Sequence, residues 1–539
     1  MRRFVLLTII ALLAPITASS LCHNTSKEAH IKTYCKQGSD ISDVLQRLVS
    51  EKETVVIDKG IWKVSKPIYL RSGVVIKGVS PKKSVLLIDQ QAIIDGKRKF
   101  CIFTTAQPKA LFGEEYMSFS PETYKNKTFV NIVIRDLTID VNRQPEYFKE
   151  VGVSARIADL NVVRFENCKN CILDNCIIQD YCTPESFNNN AVVKLVESDS
   201  CTVGNCITRN CTFVQVLGGK GNVIHANEGE NSVGTWVSSV GGRSHVISGN
   251  TIRNVYNHVS TIGVNSVCCE IFNNKVKNDN GGEISCLTLG HSQDERSLPS
   301  VGSSSLRTKA DSCFVHHNRF ETPAHVAILI QNGSNIIIEN NFLRSCPEQD
   351  NYAPAALYVH GQRDNLYGLR VVNNTIEANS RKGSALCGDC LNDAIIQGNT
   401  IKTTCRYAIR LTRQTTTVSI ADNNISITDG ELISADSVST LLVSNNHFKG
   451  GYLNLHYSRL EFLNNEWEDI NAVSRFELID ADDGLELCTR VEGNTLTPLN
   501  GVQLKEFART SSKSGKPQKQ SVTGNDFPKE RIKSIIREK

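Results

Sequence analysis

A small set of titratable side chains in this 539-residue chain could move a proton beside a negative charge. Glu283, His325, His360, Arg363 and Arg410 are the candidates for catalysis, and Lys194, Gln215, Trp236, His258, Tyr358 and His456 for holding a reactant. Proton abstraction next to a carboxylate needs a cation to neutralise the anion, a base and an acid. The arginines, Lys194 and the histidines supply those types. Hydrolysis of a glycosidic bond needs instead two carboxylic groups roughly 5 to 9.5 Å apart. At mid-chain only Glu283 and the Asp294/Glu295 pair qualify, with Asp480, Asp482 and Asp483 far downstream. The supply of His and Arg is better than the supply of paired acids, so proton abstraction is favoured.

Such residues lie far apart in sequence and need a scaffold that stacks them. The pattern of an apolar-rich stretch, an Asn, any residue and another apolar residue falls at Asn175, Asn205, Asn250, Asn274, Asn318, Asn340, Asn374, Asn399, Asn423, Asn446, Asn465, Asn494 and Asn525. Several intervals are 19 to 25 residues, and the two longest, 45 and 44, are about two units. A period near two dozen marks a solenoid. The local alternation in "SNIIIENNF" and "TTVSIADNNI" is that of strands, which predicts an all-β parallel β-helix rather than a helical repeat. In that architecture Asn and Gly tolerate the left-handed corner between strands, and stacked Asn amides can bond to one another along the corner.

Ahead of the coils, "DISDVLQRLVSEKE" places Ile41, Val44, Leu45, Leu48 and Val49 at helical spacing behind Asp40 or Ser42 as a cap, and predicts a helix that plugs the open end of the solenoid. Residues 21–96 then form the cap helix and first coils, 97–160 a decorated early coil or insertion, 161–527 the regular coils and 528–539 a basic, solvated tail. The order of an amphipathic helix, "VVIDKGIWKVSKPIYLRSGVVIKG" and many "GNTI" coils resembles the right-handed parallel β-helix superfamily of pectate-lyase-like proteins, over nearly the whole mature chain. That resemblance implies a single-stranded right-handed β-helix and a carbohydrate polymer bound along the first sheet. The sharper signatures of the superfamily do not extend it to one chemistry. "GHS" at Gly290, "DD" at Asp482 and "RIK" at Arg531 are out of order for polygalacturonase-like hydrolases. The "DPH" of alginate epimerases and "WIDH" of pectate lyases are missing. "NGGE", Asn280–Glu283, is similar to the calcium-binding region of alginate-lyase-like enzymes over too short a span to assign ligands. The sequence therefore demands no cofactor, with Ca2+ the one candidate.

If each Asn corner joins the second strand of a coil to the third, first-sheet strands lie upstream at "NAVVKLVES", "CTFVQVLGG", "VGTWVSSVG", "NHVSTIGVN", "EISCLTLGH", "AHVAILIQN", "AALYVHGQR", "YAIRLTRQT" and "GYLNLHYSR". Alternation turns Leu357, Val359, Ile409, Leu411, Leu453 and Leu455 inward, and Lys194, Gln215, Tyr358, His360, Arg410, Asn454 and His456 outward. A polar stripe containing an aromatic is what a sugar groove needs. The long interval from Asn274 to Asn318 adds Asp279, Glu283, His291, Asp294, Glu295 and Arg296 near mid-groove, where insertions carry function.

The bulk numbers bound the partners. A net charge of +4 from 60 basic and 56 acidic residues gives no warrant for nucleic acid. Met1-Arg2-Arg3, the apolar "FVLLTIIALLAPI" and "TASS" read as a signal peptide over 1–20, which predicts a secreted or periplasmic protein without membrane insertion after cleavage. The apolar run is shorter than the roughly 20 residues needed to span a bilayer. Of the 19 cysteines, Cys171 and Cys201 share the local repeat with Cys176 and Cys206, as stacked, buried small hydrophobes. The expectation is an exported protein that binds an acidic or complex polysaccharide and cleaves or epimerises it. Its rival is a non-catalytic adhesin or polymer-binding scaffold on the same fold.

Overall fold

The computed structural model describes residues 27–91, 99–106, 127–142, 159–180, 191–232, 234–255, 260–279, 285–290, 309–323, 326–346, 355–360, 366–413, 415–480, 485–513 and 518–538. Nearly all regular structure is short parallel strands, each paired with the equivalent strand of the coil before and the coil after. They line up on three faces. The first sheet includes Val193–Val196, Val214–Leu217, Ala355–His360 and Tyr407–Thr412, and the second includes Ile172–Asp174, Thr202–Gly204 and Arg370–Val372. Two long strands, Glu431–Ser444 and Tyr452–Leu463, pass from first to second without a break. Among the described residues the third sheet has 16 strands. This is the parallel β-helix that the two-dozen period predicts.

The helix spans Ser42–Glu51, and Asp40 Oδ1 accepts the Ser42 backbone N–H at 2.9 Å, so a carboxylate sits at its start. Leu45, Leu48 and Val49 are buried in the core, and the helix packs on the strands Thr54–Ile57 and Ile68–Tyr69. No helix among the described residues is long and apolar enough to cross a membrane. Residues 1–20, read as a signal peptide, lie outside the described residues. Within 97–160, the strands Lys99–Thr104, Val133–Arg135 and Thr138–Asp140 pair with neighbouring coils on the first, second and third sheets. The expected solvated tail at 528–539 is corrected. Ile536–Glu538 pairs with Ala508–Ser512, and Ile532 and Ile535 are buried, because the apolar residues of "RIKSII" complete a last coil.

The second-to-third corner is where sequence and structure meet most closely. Twelve asparagines form one file, Asn227, Asn250, Asn274, Asn318, Asn341, Asn374, Asn399, Asn423, Asn446, Asn465, Asn494 and Asn525. Each Nδ2 donates to the next Oδ1 at 2.8 to 3.1 Å. The same Oδ1 accepts the backbone N–H of the preceding ladder member, as Asn399 Oδ1 does from Asn374 at 2.8 Å. The strained backbone belongs to the residue before. Asn273, Asn340 and Asn373 have φ of 54 to 55°, and Gly249 and Gly398 take the same place. The corner therefore has two positions with different jobs, a left-handed one for Asn or Gly and a buried ladder one for Asn. Asn175, Asn205 and Asn340 occupy the first of these. In the early coils the ladder position holds Leu137, Cys176 and Cys206, so the file begins as apolar packing and becomes polar at Asn227.

The first-to-second corner has its own file, in which Cys171, Cys201, Asn222, His245, Cys269 and Cys313 occupy one inward position on successive coils. All are buried. Burial pushes the Cys286 and Cys176 thiols up, as suits packing rather than reactivity. His245 Nδ1 accepts the Asn222 N–H at 3.3 Å, and burial holds its imidazolium pKa down at about 4 despite the nearby Asp199 charge.

Two outcomes follow from these files. Asn374→Ala strands the amides of Asn341 and Asn399 and is expected to lower stability by about 2–4 kcal/mol in urea unfolding, against about 0.5 or less for the exposed Asn424→Ala. His245 has a folded pKa below its unfolded value, so the unfolded chain takes the proton first as pH falls from 6.5 toward 4. The stability present at neutral pH is then lost across that window, by roughly 3 kcal/mol. His245→Asn should remove this part of the pH dependence, and an unchanged slope in unfolding free energy would contradict the assignment.

Candidate functional site on the first sheet

Outward residues of the first sheet form lines because the coils keep register. One line runs Tyr358, Cys387, Arg410, Ser434, Asn454, Arg475, Arg509 and Arg537. A second, two residues further along each strand, begins His360, Asp389, Thr412. Leu357, Val359, Ile409 and Leu411 point the other way and are fully buried, which fixes the face that their neighbours present.

Tyr358, His360, Asp389 and Thr412 form one connected network. Tyr358 Oη lies 3.0 Å from His360 Nδ1, and His360 Nδ1 lies 3.3 Å from Asp389 Oδ2. The Tyr358 hydroxyl donates to the same Oδ2 at 3.5 Å, and the Thr412 hydroxyl donates to Oδ1. Asp389 is nearly buried, with a side chain 6% exposed against 22% for His360. An ionised carboxylate only accepts, so the Asp389 contact asks Nδ1 to carry the imidazole proton. A hydroxyl, an oriented imidazole and a carboxylate that orients both make a proton-transfer constellation.

Arg410 lies two strands from Tyr358 along the same line, about 10 Å at the usual strand spacing. Its guanidinium sits 4.9 Å from the ring centre of Tyr407, with Arg406 5.0 Å from the same ring. Between Tyr358 and Arg410 is Cys387, whose thiol is pushed up to about 12 by burial and then by Asp389.

The other sequence candidates fall in three groups. Lys194 and Gln215 are neighbours in register near the N-terminal end of this sheet, and Lys194 lies buried beside the buried Arg164–Glu166 ion pair. His456 is four strands from His360, with Nδ1 3.6 Å from Asp436 and Nε2 3.4 Å from Glu477. Trp236 is a correction. It is fully buried, packs on Phe213 and donates its indole N–H to Thr208 Oγ1 at 2.9 Å, because it faces the core just before its strand begins. Glu283, His325, Arg363 and His258 lie outside the described residues, as do His291, Asp294, Glu295, Arg296 and Asn280–Glu283, the calcium candidate. Asp279 is exposed and pairs with Lys277 at 2.9 Å. Among the described residues no three His, Cys, Asp or Glu side chains group as a metal site. Asp389 and Thr412 were not singled out from sequence. The Asp389 strand, Ser384–Asp389, reads "SALCGD" and lacks the bulky alternation that marks its neighbours.

The family described as "Right handed beta helix region" matches residues 303–466. Among solved structures, the chain is similar to the tailspike protein of E. coli bacteriophage HK620 in complex with pentasaccharide, at 12% identity, TM-score 0.51, covering 81% of this chain and 78% of that one. It is also similar to the Streptococcus pneumoniae surface protein and adhesin PfbA, at 13% identity, TM-score 0.39, covering 95% and 100%. A third is the A-module of the Azotobacter vinelandii mannuronan C-5 epimerase AlgE6, at 12% identity, TM-score 0.33, covering 93% and 99%. No curated protein matches the chain by sequence. At such identities the likeness is one of fold.

The state of Cys387 offers a direct check on the network. Only the thiolate is alkylated, and at pH 8 a thiol at about 12 is ionised to roughly one part in ten thousand. Iodoacetamide should label the exposed Cys268 in the native protein and leave Cys387 unmodified until the chain is unfolded. Comparable labelling of both in the native state, read by mass spectrometry, would contradict this environment.

Proposed function

Taking the chain as the right-handed parallel β-helix it is, we propose that it binds an acidic polysaccharide along the first sheet and acts on it by proton abstraction, as a lyase or epimerase. The observation that carries this reading is the Tyr358–His360–Asp389–Thr412 network, standing on the same face as Arg410. The guanidinium of Arg410 neutralises a uronate carboxylate and so acidifies the adjacent C–H. His360, its Nδ1 proton held by Asp389, takes that C–H proton at Nε2. Tyr358 returns one to the departing oxygen in a lyase, and in an epimerase a solvent water returns one to the opposite face of the sugar. Asp389 is an acceptor-only group in this arrangement, and among the described residues of the network no second carboxylic acid pairs with it for hydrolysis.

The preference for an acidic polymer rests on the C-terminal stretch of the same line. Arg475, Arg509 and Arg537 are exposed and stand directly opposite one another on successive strands. Arg509 pairs with the buried Glu506, but like charges placed opposite each other destabilise a sheet, and Arg475 and Arg537 have no ion-pair partner among the described residues. A polyanion lying across the strands would relieve the repulsion. The same row suits the second reading, a scaffold that binds such a polymer without changing it. The tailspike neighbour, solved in complex with a pentasaccharide, accords with a polysaccharide partner, and export over 1–20 would carry the chain to a secreted or periplasmic one.

Polyuronates are the substrates to test, with ultraviolet absorbance for unsaturated ends and NMR for solvent deuterium entering at C5. His360→Ala and Tyr358→Phe are expected to lower turnover about 10²–10⁴-fold with binding retained, while Arg475→Glu should weaken binding about tenfold and reduce its salt dependence. Binding without either product signal would favour the scaffold, and absence of both binding and turnover with every polyuronate would reject the proposal.

A further inference from the structure

A groove of about 640 Å³ runs along the edge where the third sheet turns into the first, away from the Tyr358–Arg410 face. Its size is that of a small-ligand site. The turns explain why it exists. Connections between these two sheets shrink to 404–406, 428–430 and 450–451 under the groove, and lengthen again to 499–507 beyond it. At the shortest, Gly450 and Gly451 have φ of 76° and 64°, and a Cβ on Gly450 would come within 2.2 Å of the Ile427 carbonyl. The buried Trp467 donates its indole N–H to the Gly450 carbonyl at 2.9 Å and holds this floor down.

Charge along the groove follows the strand order. Arg344, Glu377, Lys402, Ser426 and Lys449 stand on successive third-sheet strands in register. Arg344 pairs with Glu377 at 3.5 Å, and Lys449 pairs with Asp469 at 3.7 Å. Lys402, between these two pairs, is exposed and has no ion-pair partner among the described residues. The hydroxyls of Ser426 and Thr428 lie further along the groove. One uncompensated ammonium among hydroxyls, over a floor spaced one strand apart, is suited to a sugar chain with an anionic substituent. Strands on the floor are paired on both sides, so an extended peptide finds no edge to join.

We infer that this groove is a second carbohydrate site, which binds a short oligosaccharide carrying a carboxylate or sulfate, with the anion at Lys402 and sugar hydroxyls at Ser426 and Thr428. It is independent of the first-sheet reading. A polymer held here and there at once would gain avidity, since the second contact becomes intramolecular.

The test reads Lys402 itself. The full chain is acetylated with and without short fragments of polygalacturonate, of chondroitin sulfate and of neutral dextran, and lysine modification is followed by mass spectrometry with the exposed Lys82 as internal standard. One or both anionic fragments should slow Lys402 acetylation at least about tenfold at ten times Kd and leave Lys82 unchanged, with dextran inert. The carboxylate and sulfate arms tell the two anions apart. Protection must persist in Arg410→Ala, which disables only the first-sheet site. Ser426→Ala should weaken it. Equal acetylation with every fragment, equal protection by dextran, or loss of protection in Arg410→Ala would each overturn the inference, whatever becomes of activity on the first sheet.

Discussion

Everything in this molecule depends on neighbouring coils staying in register, one strand spacing apart. Backbone pairing alone would permit a slip, and a slip of one residue exchanges the inner and outer faces. The buried Asn file forbids it. Each amide meets the next and also the backbone of the coil behind, so a shifted coil would leave several buried polar groups unpaired at once. Buried amides are tolerated here only because the chain of partners is complete. Where the file ends toward the N-terminus, Cys206, Cys176 and Leu137 replace Asn with side chains that ask for no partner.

Register also makes chemistry from residues that are distant in sequence. Tyr358, Asp389 and Thr412 are separated by two dozen to three dozen positions and meet because their coils stack. Two adjacent outward lines hold the Tyr358–His360–Asp389–Thr412 network, and the one that includes Tyr358 runs on through polar Ser434 and Asn454 to a row of stacked arginines. The proposed reacting and binding segments would thus share one face of the first sheet. The third-sheet groove uses the same spacing on another edge, where short glycine turns rather than a sheet face make the hollow.

Much of this could be read from the sequence, for physical reasons. Each of the nine segments proposed for the first sheet contains a strand of that sheet, since period-two alternation of Val, Ile and Leu is a direct image of a face buried on one side. The same alternation turns Tyr358 and His360 outward. The split of each corner into a strained position and a ladder position was not legible, because "NN" and "GN" place both roles in adjacent residues of similar type. Asp389 was hidden in a strand of small residues, and the inward turn of Trp236 falls at a strand start, where alternation has not yet begun. The last coil, from Ile532 on, was obscured by the lysines and arginines around it, whose aliphatic stems can cover apolar neighbours.

In the proposed complex a polyanionic sugar chain lies across the first sheet with its reacting unit between His360 and Arg410. A crystal structure of the His360→Ala protein soaked with an oligouronate tests it most directly. Sugar density crossing the strands over Tyr358 with a carboxylate against Arg410 is the predicted result. A saturating soak that leaves this face empty, or a chain bound along the second sheet instead, would contradict it.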